Sequence, residues 1–367
     1  MKYLFQQYKV YILLILLTIL ALSPEYFMRK DLPTLDWFFS HFSTYYGDLW
    51  YCWNNYLHNN FPYPREYPSG IQIIFKLIFL LPRVIYDYGF YFKLICGILA
   101  CVAIIISCLL YRLSFNLRKI IIFWLCAPSF LFYGLLNLDF LAIFTIVCSY
   151  YCFIRKMPIL TGVFLALGTS IKVFPLFLFP VLFFSCSRRD KTKITLSLIL
   201  AWLFFNLPAM FNDWNGWLFP LIWQIQENYA RSMHDGSWTW LIYQIFDYLK
   251  LGSWSGKVSL GIFIFSYYYF LRKYWHLPLV NKLLMVLLLF ILTDRVYSPQ
   301  YNLYLLPLLV LVHFRVSLIY FYLLELSNLI QGVFLFFIKE HPYLLQSILL
   351  LKYIALIALF RQCLRDK

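Results

Sequence analysis

Charged residues are scarce in this sequence, and that scarcity sets the class of the protein. They make up 13% of the 367 residues, whereas hydrophobic residues make up 63%. A soluble domain carries about a quarter charged residues, so the composition excludes an ordinary soluble protein and indicates a polytopic membrane protein. Membrane spans must be helices or a closed barrel, and the long apolar runs lack the alternation of barrel strands. We therefore predict an all-α integral membrane protein.

Motifs for cofactors, metals and disulfides are also missing. The nine cysteines lie mostly inside apolar runs, and only Cys52 falls in a polar segment. This distribution is neither a disulfide framework nor a metal-binding spacing. The sequence has no glycine-rich phosphate loop and no dinucleotide fingerprint. We therefore expect neither a metal nor a cofactor.

Acidic residues are also few, 16 against 31 basic residues, which gives a net charge of +15. Such a charge can indicate nucleic-acid binding. Here the basic residues instead form short clusters between apolar runs, which is typical of cytoplasmic loops. The expected partner is therefore the lipid bilayer, and we expect no nucleic acid.

The apolar runs predict about twelve transmembrane helices with both termini in the cytoplasm. The first run, from Val10 to about Leu22, follows Lys2 and Lys9. It has features of a signal peptide, but a retained span fits better with a chain that is membrane-embedded throughout. The later runs cover residues 90–111, 119–134, 139–154, 158–171, 173–186, 194–209, 257–271, 279–293, 301–313, 316–338 and 343–360. We find no internal repeat and no soluble appendage, so we predict one domain over residues 1–367, in the cell or plasma membrane.

Two longer segments are expected on the extracytoplasmic face, a first loop at 23–89 and a second at 210–255. Residues 71–89 are apolar but short, and they include Lys76 and Asp87. We interpret them as interfacial or re-entrant, because a span needs about 20 apolar residues. A full span there would also move every later basic cluster to the outside, against the charge pattern.

Unusual polar residues gather on the predicted outer side. Charged groups at membrane depth are costly and are functional candidates by default. The outer-side candidates are Asp36, Asp48, Glu66, Asn137, Asp139, Lys172, His234 and Arg295. Their common side predicts a single extracytoplasmic site.

Three segments, at 48–70, 162–175 and 295–307, carry a family pattern. The first contains Asp-Leu-Trp-Tyr and later Glu-Tyr-Pro-Ser-Gly, the second Gly-Thr-Ser-Ile-Lys-Val-Phe-Pro, and the third Arg-Val-Tyr-Ser-Pro-Gln-Tyr. They resemble the polyprenol-phosphate-mannose-dependent mannosyltransferases of glycosyltransferase family 87, which are GT-C membrane enzymes. Ser69 stands where that family often has a second proline, and Arg295 stands where it has a lysine. The mannosyltransferases of glycosylphosphatidylinositol assembly share a similar layout.

The resemblance implies transfer of a hexose, mannose by analogy, from a polyprenyl-phosphate donor to a glycolipid or glycan acceptor. It implies direct displacement without a metal, with Asp48 as the base. A carboxylate near a partly dry interface has a raised pKa and is a better base at neutral pH. Asp48 can instead be the N-cap of the aromatic segment that follows it, and Asp36 is a second candidate for either role.

Lys172 and Arg295 are the predicted phosphate-binding residues. Cations at these positions can hold a phosphate by charge-assisted hydrogen bonds, and arginine often makes two of them. The alternatives are snorkelling to the interface or a cation at a helix C-terminus. Asn137 and Asp139 are interpreted as caps of the helix that follows them.

The other predicted substrate-binding residues are Glu66, Tyr67, His234, Gln300 and Tyr301. Glu66 can bind sugar hydroxyls or pair with the neighbouring arginine. His234 can line the acceptor or phosphate site, or it is a surface histidine beside an aspartate. Tyr67, Gln300 and Tyr301 lie in the segments that carry the resemblance.

Two rival functions suit a multi-spanning protein. One is a transporter or flippase of lipid-linked sugars, and the other is a polymerase or ligase of cell-surface glycans. A transporter predicts internal repeats and charges near the bilayer midplane. We expect neither from the sequence, so the glycosyltransferase is the preferred hypothesis.

Overall fold

The structure is a computed structural model that describes residues 2–30, 49, 53, 67–135, 138–225, 255–295, 297–333 and 341–365. Within these ranges all regular secondary structure is helical, which confirms the predicted all-α class. The chain divides into two compact units, Met1–Trp217 and Leu218–Lys367, and each is described by itself. A single domain over residues 1–367 stays a prediction.

The first unit contains a series of helices joined by short connections. They are α1 (Lys2–Lys30), α2 (Ser69–Ile78), α3 (Pro82–Tyr86), α4 (Tyr88–Ser114), α5 (Leu117–Ile120) with a π-helical turn (Ile121–Leu125), α6 (Pro128–Tyr133), α7 (Asp139–Ile154), α8 (Pro158–Ile171), a 3-10 turn (Phe174–Leu178), α9 (Phe179–Phe184) and α10 (Arg188–Asn212). Helix α11 (Trp214–Ile225) follows and runs across the boundary between the units.

The second unit has fewer helices within the described residues. They are α12 (Ser255–Lys273), α13 (Leu279–Thr293), a 3-10 turn (Pro299–Tyr304), α14 (Leu306–Leu311), α15 (Leu318–Val333) and α16 (Pro342–Leu364). Helix α13 is buried along most of its length, and α15 packs against α16.

The helix boundaries follow the apolar runs, and prolines account for several of the starts. Pro82, Pro128, Pro158 and Pro342 each stand in the first turn of a helix, where no N–H is needed. The predicted run at 119–134 is interrupted just before Pro128, because proline cannot continue a helix without losing a hydrogen bond.

Three of the described helices are long and apolar enough to cross a membrane, and they cover Tyr88–Ser114, Arg188–Asn212 and Tyr343–Leu364. Shorter apolar helices of 10–17 residues accompany them, including Tyr8–Pro24 within α1 and Leu279–Thr293. The membrane class is thereby confirmed, and the count of about twelve spans stays a prediction.

The segment at 71–89 forms α2 and α3, which are separated by residues 79–81. Helix α2 has ten residues and rises about 15 Å, half the thickness of the hydrocarbon core. Neither helix is long enough to span alone.

The second predicted loop, 210–255, is in part helical. Its described portion contains α11, twelve residues with Pro220 inside the helix. The described portion is thus helical, and an external loop at 210–255 stays a prediction. Residues 226–254 lie outside the described residues.

Small and polar residues bring the helices of the first unit together. A Cβ added to Gly162 on α8 would lie 2.1 Å from the Ser197 hydroxyl and 2.4 Å from the Ile194 carbonyl of α10. Only glycine permits this approach of α8 to α10. Elsewhere the Trp124 indole donates to the Ser107 hydroxyl at 2.9 Å, inside the apolar core.

Candidate functional site

Lys172 and Asp139 form an ion pair in the first unit. Lys172 is the C-cap residue of α8, with an extended backbone, and its Nζ lies 2.9 Å from Asp139 Oδ1. The Asp139 side chain is 2% exposed, whereas that of Lys172 is 23% exposed. A buried carboxylate needs such a partner, and the N-terminus of α7 adds favourable dipole charge. The ammonium therefore sits at a helix junction with one side toward the surface.

Tyr67 completes this group, which we call the Lys172 cluster (Tyr67, Asp139 and Lys172). The Lys172 Nζ lies 5.4 Å from the centroid of the Tyr67 ring, within cation–π range. The Tyr67 carbonyl accepts from Gln72 Nε2 at 3.0 Å, which ties it to α2. The structure thus brings together two of the predicted site residues, Tyr67 and Lys172.

Two glycines let the helices meet at this cluster. A Cβ on Gly70 would lie 2.6 Å from the Ser170 carbonyl oxygen, so the start of α2 touches the end of α8. A Cβ on Gly168 would lie 2.2 Å from the Thr145 hydroxyl of α7. Gly168, near the end of α8, thereby helps to fix where Lys172 leaves the helix.

Ser69 explains one departure from the family pattern. Its hydroxyl donates to Asn206 Oδ1 at 2.5 Å, a bond that a proline at this position has no group to make. Asn206 Nδ2 in turn donates to the Ser170 hydroxyl at 2.9 Å, and the Trp217 indole donates to Asn206 Oδ1 at 3.0 Å. Asn206, which lies inside an apolar run and was not predicted, therefore joins α2, α8 and α10 beside the Lys172 cluster.

The cap interpretation of Asp139 is wrong. Leu138 is the N-cap residue of α7, its side chain makes no capping bond, and the Asp139 carboxylate pairs with Lys172 instead. The C-terminal interpretation of Lys172 holds for its position, and the ion pair adds to it. The ion pair could have been predicted from Asp139 itself, because a carboxylate at the start of an apolar run needs a cation nearby when it is buried.

Arg295 is buried in the second unit. It follows the end of α13 and is 3% exposed, so the interpretation that it snorkels to the interface is wrong. A Cβ on Gly256 of α12 would lie 3.2 Å from Arg295 Nε and 3.3 Å from its Cζ. The glycine thus leaves room for the guanidinium against α12.

Gln300 and Tyr301 lie on the 3-10 turn Pro299–Tyr304 and are half-buried. The Tyr301 ring centroid lies 6.1 Å from that of Phe290 and 6.3 Å from that of Tyr297. The turn therefore rests on aromatic rings and keeps part of its surface open.

Several predicted residues lie outside the described residues, and their roles stay predictions. They are Asp36, Asp48, Glu66, Asn137 and His234. Within the described ranges no three His, Cys, Asp or Glu side chains group as a metal site. The expectation of a metal-independent reaction stays a prediction as well.

Two charged residues in the second unit contradict the expectation of charge-free spans. Glu325 lies near the middle of α15 and is 1% exposed, and Lys352 lies near the middle of α16 and is 0% exposed. Each is a single charge in a long apolar run, and it barely lowers the mean hydropathy of that run. Neither residue was therefore predicted. Such charges agree with a transporter as well as with an enzyme.

The comparison with protein families decides between these two classes. A family model described as Glycosyltransferase family 87 matches residues 67–319, more than half of the chain. The matched range contains the Lys172 cluster, Arg295 and the turn Pro299–Tyr304, and it begins after Asp48. Neither the curated proteins nor the solved structures include a match to the chain.

Proposed function

The chain belongs to glycosyltransferase family 87 and is a membrane glycosyltransferase; we propose that it transfers mannose from a polyprenyl-phosphate donor. The proposed acceptor is a glycolipid or glycan hydroxyl on the extracytoplasmic face. The donor class follows from the resemblance of segments 48–70, 162–175 and 295–307, and from the lack of a nucleotide-phosphate loop in the sequence.

The proposed reaction is a direct displacement at the anomeric carbon. The acceptor oxygen forms a bond to that carbon while the bond to the phosphate oxygen breaks. The acceptor proton passes to the Asp48 carboxylate, and polyprenyl phosphate leaves with increased negative charge. Cations placed at that departing phosphate stabilise the transition state more than the bound donor.

The observation that carries the proposal is the position of Lys172. Asp139 holds its ammonium at 2.9 Å and the Tyr67 ring packs beside it, so it is placed before substrate arrives. Its side chain keeps 23% exposure, and an ammonium with three donors can contact a phosphate oxygen while it stays paired. Preorganisation of this kind is what electrostatic catalysis requires.

Arg295 is a second proposed phosphate-binding cation, on the resemblance of segment 295–307 and its own surroundings. Its guanidinium is largely shielded from water, where its attraction for a phosphate is stronger than at an exposed surface. It follows α13 and precedes the turn that carries Gln300 and Tyr301, which we propose as donor-binding residues. The planar group suits two parallel hydrogen bonds to a phosphate.

The test of the reaction uses purified protein in lipid nanodiscs with polyprenyl-phosphate mannose and a panel of glycolipid acceptors. Mass spectrometry should identify an acceptor that has gained one hexose. Asp48→Asn keeps the capping ability of the side chain but removes the proton acceptor, so transfer should fall ~10²–10⁴-fold. Asp190→Asn, at the start of α10, is the matched control and should leave transfer unchanged.

Two results would contradict this scheme in different ways. If the protein transferred another sugar from polyprenyl phosphate but did not transfer mannose, the proposed donor sugar would be wrong. An Asp48→Asn rate within about threefold of wild type, against the 10²–10⁴-fold expected of a lost base, would move the base role to Asp36 or Glu66.

The extracytoplasmic position of the reaction is tested separately. The pattern of basic loops predicts that the first loop lies outside and the start of α10 inside. In a background without the native cysteines, an impermeant thiol reagent should label Asn59→Cys in sealed cells and spare Lys191→Cys. The opposite labelling pattern would place the reaction on the cytoplasmic side.

A further inference from the structure

Helix α15 carries a row of buried polar side chains. Glu325, Asn328 and Gln331 are spaced three residues apart, so they lie along one side of the helix. Their exposed fractions are 1%, 0% and 1%, in a helix that is otherwise largely apolar. We call this row the α15 polar face.

Two members of the α15 polar face hold the turn that follows Arg295. Asn328 Nδ2 donates to the Pro299 carbonyl at 2.7 Å. Glu325 Oε1 accepts from Asn302 Nδ2 at 2.9 Å. The backbone and a side chain of the turn Pro299–Tyr304 are therefore both fixed to α15.

The third member reaches α16. Gln331 Oε1 accepts from Lys352 Nζ at 2.5 Å, and the same Nζ lies 3.3 Å from the centroid of the Tyr297 ring. The Tyr297 hydroxyl donates to Asn302 Oδ1, which leads back to Glu325. Lys352 and Glu325 thus hold Tyr297 and Asn302 from two helices, and the hydrogen bond between Tyr297 and Asn302 connects the two contacts.

The pattern of exposure shows what this arrangement leaves accessible. Tyr297 and Asn302 are 0% exposed, whereas the four residues between them, 298–301, are all partly exposed. The segment therefore has two anchored ends and an open middle. Buried charges contribute little net stability compared with apolar packing, so a buried charge on each of these two helices favours a role in fixing one conformation.

We propose that Glu325 and Lys352 are positioning residues that set segment 298–301 for binding of the lipid-phosphate donor. The donor class rests on the function proposed above, whereas the positioning of the segment rests on the contacts alone. A misplaced segment removes binding that ground state and transition state share, so the KM for the donor should rise while kcat changes little.

The first experiment measures donor KM and kcat for three variants. Lys352→Met removes the charge and keeps the length of the side chain. Glu325→Gln keeps an oxygen for Asn302 but leaves Lys352 without its counter-charge. Each should raise the KM about tenfold with kcat within about twofold, and the double variant, which carries neither charge, should recover part of the loss. Lys273→Met, at the exposed end of α12, is the control and should change nothing.

The second experiment reports on the segment without any substrate. In a background without native cysteines, the rate at which a maleimide labels Ser298→Cys is measured. Lys352→Met should change this rate, and the added Glu325→Gln should restore it toward the original value. This readout holds even if the wild type transfers nothing from polyprenyl-phosphate mannose, so failure of the function and failure of the positioning role are distinguishable.

A lowered Tm with unchanged KM and unchanged labelling of Ser298→Cys would overturn the proposal and leave the pair a purely structural role. If Lys352→Met does not fold, Glu325→Gln carries the test, because it keeps the hydrogen bond to Asn302. Unchanged KM and labelling in Glu325→Gln would then overturn the proposal.

Discussion

Lys172 in the first unit and Lys352 in the second unit are both lysines set among apolar helices, and their surroundings differ. Lys172 stands where α8 ends, 2.9 Å from a carboxylate, with 23% of its side chain exposed. Lys352 stands near the middle of α16, fully buried, against the Gln331 amide and the Tyr297 ring. The first ammonium can meet a substrate. The second can act only through the residues it holds.

Among the described residues, the largest effect should come from Lys172. Lys172→Met removes a cation that we place at the departing phosphate, so kcat/KM for transfer should fall ~10²–10³-fold. Lys172→Arg should keep part of the activity because it keeps the charge. The matched control is Lys191→Met, a half-buried lysine beside Phe183 at the opposite end of α10 from Asn206. Loss of less than about threefold in Lys172→Met would give this lysine the indirect role of Lys352.

Arg295 should rank next, because its guanidinium is buried and we propose it as a second phosphate-binding cation. Arg295→Gln should reduce kcat/KM ~10²-fold, since hydrogen bonds to charged groups contribute roughly 1.5–3 kcal/mol each. Arg295→Lys should cost less, since the family pattern it resembles has a lysine there. Equal activity of Arg295→Gln and wild type at normal expression would remove Arg295 from the site.

A backbone substitution tests how the first unit places its lysine. Gly70→Ala puts a Cβ 2.6 Å from the Ser170 carbonyl oxygen, so α2 and α8 must separate. Overpacking of this kind destabilises by ~1–3 kcal/mol and should lower both Tm and transfer. Gly97→Ala is the control, since its Cβ meets no atom within 4 Å, and it should be neutral or stabilising by ~0.5–1 kcal/mol. Equal Tm values for the two variants would show that α2 adapts without cost.

The smallest effect should come from Asp87, an exposed carboxylate that contrasts with the buried Asp139. The Phe90 amide donates to it at 2.9 Å, and this bond, with the nearby Arg83 charge, lowers the pKa of Asp87. A lowered pKa means that the stabilisation is present above the unfolded-state pKa and is lost as pH falls through the folded one. The Tm difference between wild type and Asp87→Ala should therefore be small at neutral pH, decrease as pH falls below about 4, and vanish below the lowered folded-state pKa. A difference that grows on acidification would contradict the cap.

The helices themselves could be predicted well from the sequence. A membrane span requires a long apolar run, so such runs predict helices. The run from residue 139 to 154, for example, coincides with α7. Prolines in the sequence marked where several helices begin. Helix α11 within the second predicted loop was not predicted, and it contains Pro220, a residue that disfavours a helix interior.

The site could be predicted only in part. Tyr67 and Lys172 were named from the family pattern, and the structure places them together. The Asp139 partner was missed because packing, not sequence distance, brings α7 and α8 into register. Glu325 and Lys352 were missed because one charge barely alters the average hydropathy of a run, although it dominates the local electrostatics.

Gly162 has a consequence for the route that a lipid substrate can take. Because α8 and α10 touch there with no room for a Cβ, an isoprenoid tail cannot pass between these helices at that level. The contact between α8 and α10 therefore closes this side of the first unit at the level of Gly162. The proposed donor, with its phosphate at Lys172, would therefore keep its hydrocarbon chain on another side of α8.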